Sequence, residues 1–152
     1  MNWWVFGLVF LVIGVVFLLV GLVAAKRAKA AQSWPSLPGT VLRSEVVRHE
    51  STDEDGSSSV SYEPVVEYEY SVMGQPFTAR RIAFGANTFH YKKAAEIAAR
   101  YPAGGRVNVY YNPDKPKDTV LETTASGSKL FIILGAGLLA ATVVVMILEW
   151  LT

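Results

Sequence analysis

The sequence contains no cysteine, which excludes disulfides, thiolate catalysis and cysteine-ligated zinc or iron–sulfur sites. Its only histidines are His49 and His90, and neither has a second imidazole or a carboxylate at metal-ligand spacing. Phosphate-binding glycine loops, dinucleotide fingerprints and serine nucleophile elbows are also missing. We therefore expect a protein that is not an enzyme and that holds no metal or cofactor.

The middle of the chain has no net positive charge. Between residues 30 and 128 there are ten Lys/Arg against twelve Asp/Glu, a net of −2. Nucleic-acid-binding domains carry basic patches that neutralise phosphates. Nucleic acid is therefore not an expected partner.

Charge is absent altogether from Trp3–Ala25, a run of 23 almost wholly apolar residues. As a helix it would be roughly 34 Å long, which exceeds a hydrocarbon core of about 30 Å. A second apolar run, Leu130–Leu148, is just long enough to cross. A cleaved signal peptide would begin with basic residues, whereas here the charge follows the apolar run. The sequence favours two retained membrane spans.

Basic residues flank both spans on their inner sides: Lys26, Arg27 and Lys29 follow the first, and Lys129 precedes the second. The positive-inside rule then predicts a multi-pass protein of the inner or plasma membrane, with a cytoplasmic central domain and both termini outside. Tryptophans near the outer ends would form an aromatic belt there: Trp3, Trp4 and Trp150.

Glycines recur every seven residues in the first span, at Gly7, Gly14 and Gly21. Seven residues are nearly two helical turns, so these glycines form one stripe on which another helix can pack closely. Glycine is also simply frequent in membrane helices. The predicted partner is a second copy or the second span, where Gly137 and Ala141 are the candidates among five small residues: Gly135, Ala136, Gly137, Ala140 and Ala141.

Composition divides the chain into five parts: a first transmembrane helix (1–25), a basic, Pro/Gly-containing connector (26–39), a β domain (40–123), a linker (124–129) and a second transmembrane helix (130–150). Within the domain the predicted elements are strands at Thr40–Glu50, Val60–Met73, Pro76–Phe84, Arg106–Tyr111 and Asp118–Glu122, with a helix from Asn87 or Thr88 to about Arg100.

The order of these elements, β-β-β-α-β-β, is that of a small antiparallel five-stranded OB-like β-barrel with one helix. An open antiparallel sheet with one helix across it has the same order. We prefer the barrel because the apolar residues of the first strand change phase. Leu42 and Val46 share one face and Val41 and Val47 the other, and a bulge or bend within the strand would suit a strand shared by two halves of a barrel. The fold class is therefore membrane α+β.

A hairpin turn at Gly74-Gln75 would place Glu69 opposite Arg80 as a favourable cross-strand pair. Glu67 shares a strand face with Glu69, and we interpret both as solvent-facing rather than as catalytic carboxylates. Strand alternation would put Arg80 and Arg81 on opposite faces, so that they form no common patch. The acidic segment Ser51–Ser59 matches a calcium loop only in part and is predicted to be a solvated hairpin loop.

Three blocks of sequence carry a family resemblance: Trp34…Gly39-Thr40-Val41; Tyr68-Glu69-Tyr70-Ser71-Val72…Gly74; and Tyr101-Pro102…Gly105-Arg106-Val107-Asn108-Val109-Tyr110-Tyr111-Asn112-Pro113…Pro116…Val120-Leu121-Glu122. Together they resemble the bacterial membrane family built on domain of unknown function (DUF) 3592, over about residues 34–122. The resemblance implies the flanking spans as well. It implies no activity and no site residues.

The function most consistent with these features is a non-enzymatic, cytoplasmic-facing interaction or scaffold module for other membrane proteins. The alternative is an accessory subunit, or a small oligomeric component, of a transport or pore assembly built around the glycine stripe. The expected partners are the lipid bilayer and other membrane proteins or further copies of the chain.

Overall fold

The computed structural model describes the backbone of residues 3–151 and the side chains of residues 7–147. Over that range the helices are α1 (Trp3–Ala31), α2 (Tyr91–Ala99) and α3 (Ser128–Leu151). α1 and α3 contain the two predicted spans, and both are long and apolar enough to cross a membrane. Both are mostly exposed, unlike a core helix of a soluble domain. The predicted belt of Trp3, Trp4 and Trp150 lies outside the described side chains.

Helix α1 continues through its basic residues and ends at Ala31, inside the segment predicted to be a connector. Alanine, lysine and arginine are strong helix formers, so Lys26–Ala31 has no local reason to leave the helix. Two alanines of this last part, Ala28 and Ala31, are buried against the central domain. The chain leaves the helix shortly before Pro35, whose ring disfavours a helical residue in front of it.

The strands are β1 (Ser36–Thr52), β2 (Ser58–Val72), β3 (Gln75–Ala79), β4 (Phe84–Gly85), β5 (Arg106–Asn112), β6 (Lys115–Val120) and β7 (Ala125–Ser126). Five of them form one antiparallel sheet in the order β3-β2-β1-β5-β6. The two shortest, β4 and β7, pair with each other in parallel. The predicted α+β arrangement is thus confirmed: a central antiparallel sheet with one domain helix lies between two apolar terminal helices.

The predicted closed OB-like barrel is wrong, because the sheet is open with β3 and β6 at its edges. Side-chain hydrogen bonds, not a backbone ladder, join β2 to the edge strand β6. The hydroxyl of Tyr68 lies 3.1 Å from Oγ1 of Thr119, and that of Tyr70 donates to the carbonyl oxygen of Pro116 at 2.8 Å. The observed fold is the open sheet with a helix packed on it, extended by the short pair β4–β7.

Strand β1 contains the predicted irregularity, a register shift between Val41 and Arg43. The clean alternation of β2 also holds, since Val66, Tyr68, Tyr70 and Val72 are buried while the residues between them are more exposed. They form the main core with Val41, Val109 and Leu121. Apolar periodicity therefore located the core correctly.

The hairpin between β2 and β3 turns one residue earlier than predicted. Val72 pairs with Gln75, so the loop residues are Met73 and Gly74. Glu69 then lies opposite Thr78, and the ion pair forms between Glu67 and Arg80 with an oxygen–nitrogen distance of 2.9 Å. The predicted pairing of Glu69 with Arg80 is wrong because a shift of the loop by one residue moves every later partner by two.

Helix α2 begins at Tyr91 with His90 as its N-cap residue, which corrects the predicted caps Asn87 and Thr88. The preceding Phe89 forms an isolated bridge to Tyr62 of β2 and so is held in extended backbone. Ala94 and Ile97 of the helix are buried, as its apolar stripe predicted. α2 thus covers the middle of the β1–β2 hairpin.

Candidate functional site

Two glycines of the stripe mark the contact between α1 and α3, which run antiparallel. A Cβ atom at Gly14 would lie 3.1 Å from Cγ of Leu139, and one at Gly21 would lie 2.8 Å from Cγ1 of Ile132. Phe17 and Phe131 pack beside them with ring centroids 6.0 Å apart. The second span of the same chain is therefore the partner of these two glycines.

The other three predicted packing residues, Gly7, Gly137 and Ala141, lie outside this contact between α1 and α3. Nothing lies within 4 Å of a Cβ atom built at Gly7 or Gly137, and Ala141 is exposed. The small residue of α3 that meets α1 is Gly135, where a Cβ atom would lie 2.7 Å from the amide nitrogen of Leu18. Gly135 lies seven residues after Ser128 and seven before Thr142, and both of these polar residues are buried. That spacing equals the spacing of the stripe in α1, but the sequence alone does not show which small residue of α3 meets it.

The end of α1 is fixed to the domain by a second small core. Ala28 and Ala31 pack there with Phe84 and Val120, and Trp34 meets the ring of Phe84 edge-on at 6.0 Å. Because β4 holds Phe84 in place by pairing with β7, directly before α3, both helices are joined to the domain by packed elements. The domain is therefore packed against the helix pair and not only linked to it through connecting segments.

The four basic residues that predicted the topology are gathered at this junction. Lys26, Arg27 and Lys29 lie in the last two turns of α1, and Lys129 lies in the first turn of α3; all four are exposed. The antiparallel packing of α1 and α3 brings these two helix ends together. Positive charge is thus concentrated where the helix pair meets the domain.

A cleft of about 690 Å³ opens at this junction. Its cationic lining residues come from four places in the chain: Arg27 from α1, Arg80 and Arg81 from the segment after β3, Lys93 from α2, and Arg100 from the end of α2. Arg80 and Arg81 both line it, so the prediction that they form no common patch is wrong. Strand β3 ends at Ala79, and strand alternation therefore does not apply to the two arginines.

Carboxylates hold most of these cations. Arg80 pairs with Glu67 at 2.9 Å, Arg100 with Glu122 at 2.9 Å, and Lys93 with Glu96 at 3.1 Å, and Arg81 pairs with Asp118. The guanidinium of Arg81 also lies over the ring of Phe84, 5.4 Å from its centroid. Among the described residues, Arg27 makes no ion pair. The cleft therefore presents fixed guanidinium groups, with Arg27 still available.

Two tyrosines, the buried Tyr68 and the half-buried Tyr101, form hydrogen bonds to residues that line the cleft. The hydroxyl of Tyr101 donates to Oε1 of Glu122 at 2.8 Å, and burial together with this carboxylate raises the pKa of Tyr101. The hydroxyl of Tyr68 donates to the carbonyl oxygen of Arg81 at 2.8 Å, and burial raises the pKa of Tyr68 to about 12. Both are neutral donors at physiological pH, and they position Glu122 and the backbone of Arg81.

An apolar groove of about 350 Å³ adjoins the cleft and follows α1 into its apolar part. Its aliphatic wall is made by Leu19, Val20, Val23 and Ala24. Arg27, Phe84 and Gly85 line both the groove and the cleft, so the two are continuous. Nothing in the sequence indicated this groove, because its two sides are brought together only by the docking of the domain.

The acidic loop lies far along the β1–β2 hairpin from this junction. Ser57 Oγ donates to Oδ1 of Asp55 at 2.8 Å, and the backbone amide of Ser57 holds the pKa of Asp55 below its usual range. His49 Nε2 lies 2.9 Å from Oε2 of Glu63 across the two strands, a proximity that the sequence did not predict. Among the side chains of residues 7–147, no three His, Asp or Glu residues form a group that could hold a metal ion.

The outer part of this hairpin, residues 48–61, extends beyond the rest of the sheet, and we call it the hairpin arm. β5 pairs with β1 only over Ser36–Thr40, and β3 pairs with β2 only over Tyr68–Val72. Nearly all side chains of the arm are exposed. It carries Arg48 against Glu50, Asp53, Glu54 and Asp55, a net charge of −3. The arm is thus an exposed, acidic β-ribbon.

The chain thus consists of a sheet domain between two mostly exposed apolar helices, each long and apolar enough to cross a membrane. A family model described as domain of unknown function (DUF3592) matches residues 38–126, and the chain belongs to this family. A search of curated proteins finds no match to this sequence. The matched region begins in β1 and ends in β7, so it coincides with the sheet domain and includes the segment that carries Arg80 and Arg81.

Proposed function

We propose that this chain is a non-enzymatic, two-span membrane protein whose central domain faces the cytoplasm and acts as an interaction or scaffold module for other membrane proteins. The observation that carries this proposal is the hairpin arm, which pairs with no other strand among the described residues. Unpaired strand edges are templates for binding another chain by β-augmentation. The net charge of −3 favours a partner with a basic surface.

The position of the arm suits a module that reaches outward from the membrane. β1 begins five residues after α1 ends, and its seventeen residues extend over roughly 50 Å at about 3.3 Å per residue. Because α1 is packed against the domain through Phe84 and Val120, the base of the hairpin is held in a fixed place. A fixed base lowers the ordering cost of binding at the arm.

The cytoplasmic orientation follows from the positive-inside rule applied to Lys26, Arg27, Lys29 and Lys129, which lie at one end of the helix pair. A topology reporter fused within the loop between β1 and β2, residues 53–57, tests it in a bacterial inner membrane. A reporter active only in the cytoplasm should function there. A signal from an externally active reporter at the same site would contradict the orientation.

A photo-crosslinking experiment tests the scaffold role. A photoreactive residue replaces Val60, which is 40% exposed on the arm, in the full-length protein in native membranes. The matched control carries the same residue at Thr78, exposed on β3. We expect a discrete adduct with another membrane protein from position 60 alone. Neutralising Asp53, Glu54 and Asp55 to the corresponding amides should remove it.

The outcomes separate the scaffold from the alternative. Absence of adducts, together with recovery of the protein alone as a monomer in mild detergent, would eliminate the scaffold proposal. Adducts only between copies of this chain would favour the small oligomeric component instead. That alternative has less support, because Gly14 and Gly21 of the stripe already pack against α3 within the chain.

A further inference from the structure

We propose that the basic cleft and the adjoining apolar groove together bind one anionic phospholipid, with its phosphate in the cleft and one acyl chain along α1. This goes beyond the scaffold role and is independent of the hairpin arm. The two cavities share Arg27, Phe84 and Gly85, so a single amphiphilic molecule can occupy both. A soluble anion would use only the polar cavity.

The guanidinium groups of the cleft suit a phosphate. Five cationic side chains line it together with two carboxylates, Glu63 and Glu122, and three further carboxylates, Glu67, Glu96 and Asp118, pair with lining cations. Arginine is suited to this role because its guanidinium donates two parallel hydrogen bonds to phosphate oxygens. Three of the four arginines come from segments far apart in sequence, α1, the end of β3 and the end of α2, and converge only in the folded protein.

The existing ion pairs leave these cations able to take up a phosphate. The side chain of Arg80 is 64% exposed and that of Arg81 is 44% exposed, so their pairs with Glu67 and Asp118 are surface pairs. Solvent screening makes such pairs weak, and a guanidinium has more donors than one carboxylate accepts. Arg27 has no carboxylate partner among the described residues and stands at the mouth of the groove. Binding of the phosphate should therefore depend most on Arg27.

The groove has the position and the length that an acyl chain requires. The uncharged part of α1 ends at Ala25, two residues before Arg27, which places Arg27 at headgroup depth if α1 spans the membrane. From Arg27 to Leu19 the helix rises by roughly 12 Å, most of the ~15 Å depth of one hydrocarbon leaflet. The aliphatic wall of Val20, Val23 and Leu19 offers an acyl chain the apolar contact that a headgroup alone does not use.

Native mass spectrometry of the full-length protein tests the proposal. The protein is released from nanodiscs containing equal amounts of phosphatidylglycerol and phosphatidylcholine, and the retained lipids are counted. We expect one retained lipid, predominantly phosphatidylglycerol. Arg27→Gln should lower phosphatidylglycerol retention about fivefold, the factor that one interfacial charge supplies. Lys29→Gln is the matched control, since Lys29 is exposed on the same helix end but lines neither cavity.

A second pair of variants tests the acyl chain and does not alter charge. Val20→Trp fills the groove, whereas Leu22→Trp introduces the same side chain at an exposed residue outside it. Retention should fall for Val20→Trp and stay within twofold of wild type for Leu22→Trp. Both replaced side chains are exposed, so folding is not at risk, and an unchanged melting temperature verifies this for each variant.

Inorganic phosphate at millimolar concentration distinguishes the lipid from a free anion. Displacement of phosphatidylglycerol by phosphate alone, together with no effect of Val20→Trp, would show a plain anion site and overturn the proposal. Equal retention of the two lipids, or equal losses for Arg27→Gln and Lys29→Gln, would likewise overturn it. None of these outcomes bears on the adducts expected at the hairpin arm, so the two proposals fail separately.

Discussion

Gly135 of α3 lies so close to Gly14 of α1 that a Cβ atom on Gly135 would stand 2.8 Å from the carbonyl oxygen of Gly14. Real Cβ atoms do not approach backbone oxygens to this distance, so only glycine fits there without moving a helix. Close backbone contact between small residues is the main source of helix association in lipid, where helices gain no hydrophobic energy from meeting. The Gly14–Gly135 contact therefore fixes the separation of the two helices.

Replacing Gly135 by leucine should separate the helices and lower the free energy of unfolding by about 1–3 kcal/mol, the usual cost of overpacking. Thermal unfolding of the full-length protein in detergent measures the loss. Gly137→Leu is the matched control: it lies two residues away, its Cβ atom would meet nothing within 4 Å, and its effect should stay within about 0.5 kcal/mol. Equal losses from both variants would mean that the contact is not at Gly135.

The free energy of unfolding of the domain should fall at alkaline pH because of Tyr68. Its hydroxyl ionises near pH 10 in the unfolded chain, whereas burial raises its pKa to about 12 in the folded protein. Between these values the unfolded state releases a proton that the folded state keeps, so the free energy of unfolding falls as pH rises. The loss by pH 12 should be on the order of 2–3 kcal/mol.

Tyr68→Phe isolates this contribution. At pH 7 the variant should be about 1–2 kcal/mol less stable, because the carbonyl oxygen of Arg81 and the hydroxyl of Thr119 lose a buried partner. The difference between wild type and variant should then shrink as pH rises from 10 to 12. Tyr91→Phe, at an exposed tyrosine, should change stability at pH 7 by less than about 0.5 kcal/mol. A constant difference between wild type and Tyr68→Phe across pH 9–12 would contradict the assignment.

The turn between β2 and β3 offers a stabilising substitution. Met73 has φ of +51° and Gly74 has φ of +81°, the left-handed pair that a two-residue type I′ turn requires. Asparagine tolerates this backbone better than methionine, and Met73 is 100% exposed, so no packing is lost. Met73→Asn should raise the free energy of unfolding by about 0.5–1 kcal/mol in denaturant titrations. Gln75→Asn, one residue beyond the turn, should have no such benefit, and a neutral Met73→Asn would refute the assigned turn.

Local patterns in the sequence were sufficient for the helices and the main core. The length and lack of charge of residues 3–25 and 130–148 predict α1 and α3, and the alternation Val66, Tyr68, Tyr70, Val72 predicts the buried face of β2. The register shift beyond Val41 was also readable, because a change of face within a strand has few other causes. These features depend on neighbours within a few residues, and such neighbours are visible in a sequence.

Contacts between distant segments could not be predicted from local patterns in the sequence. The turn at Met73–Gly74 differs from the predicted one by a single residue, and that shift alone assigns Arg80 to Glu67 instead of Glu69. Gly135 and Gly137 are equally small, and only the rotation of α3 about its axis decides which of them meets α1. Each of these alternatives satisfies the same local pattern, so the choice between them requires the packed partner.

The sequence by itself determined that two apolar helices flank an antiparallel α+β domain and that basic residues stand where each helix meets it, because hydropathy and charge are properties of single segments. Only the tertiary structure decided that the sheet stays open and that Arg27, Arg81 and Arg100 converge on one cleft beside an apolar groove. In the folded protein, Tyr68 and Tyr70 of β2 form hydrogen bonds to Thr119 and Pro116 of β6 where no backbone ladder forms, and Phe84 packs against the end of α1. Convergence of this kind depends on how packed elements are oriented, and no single segment encodes it.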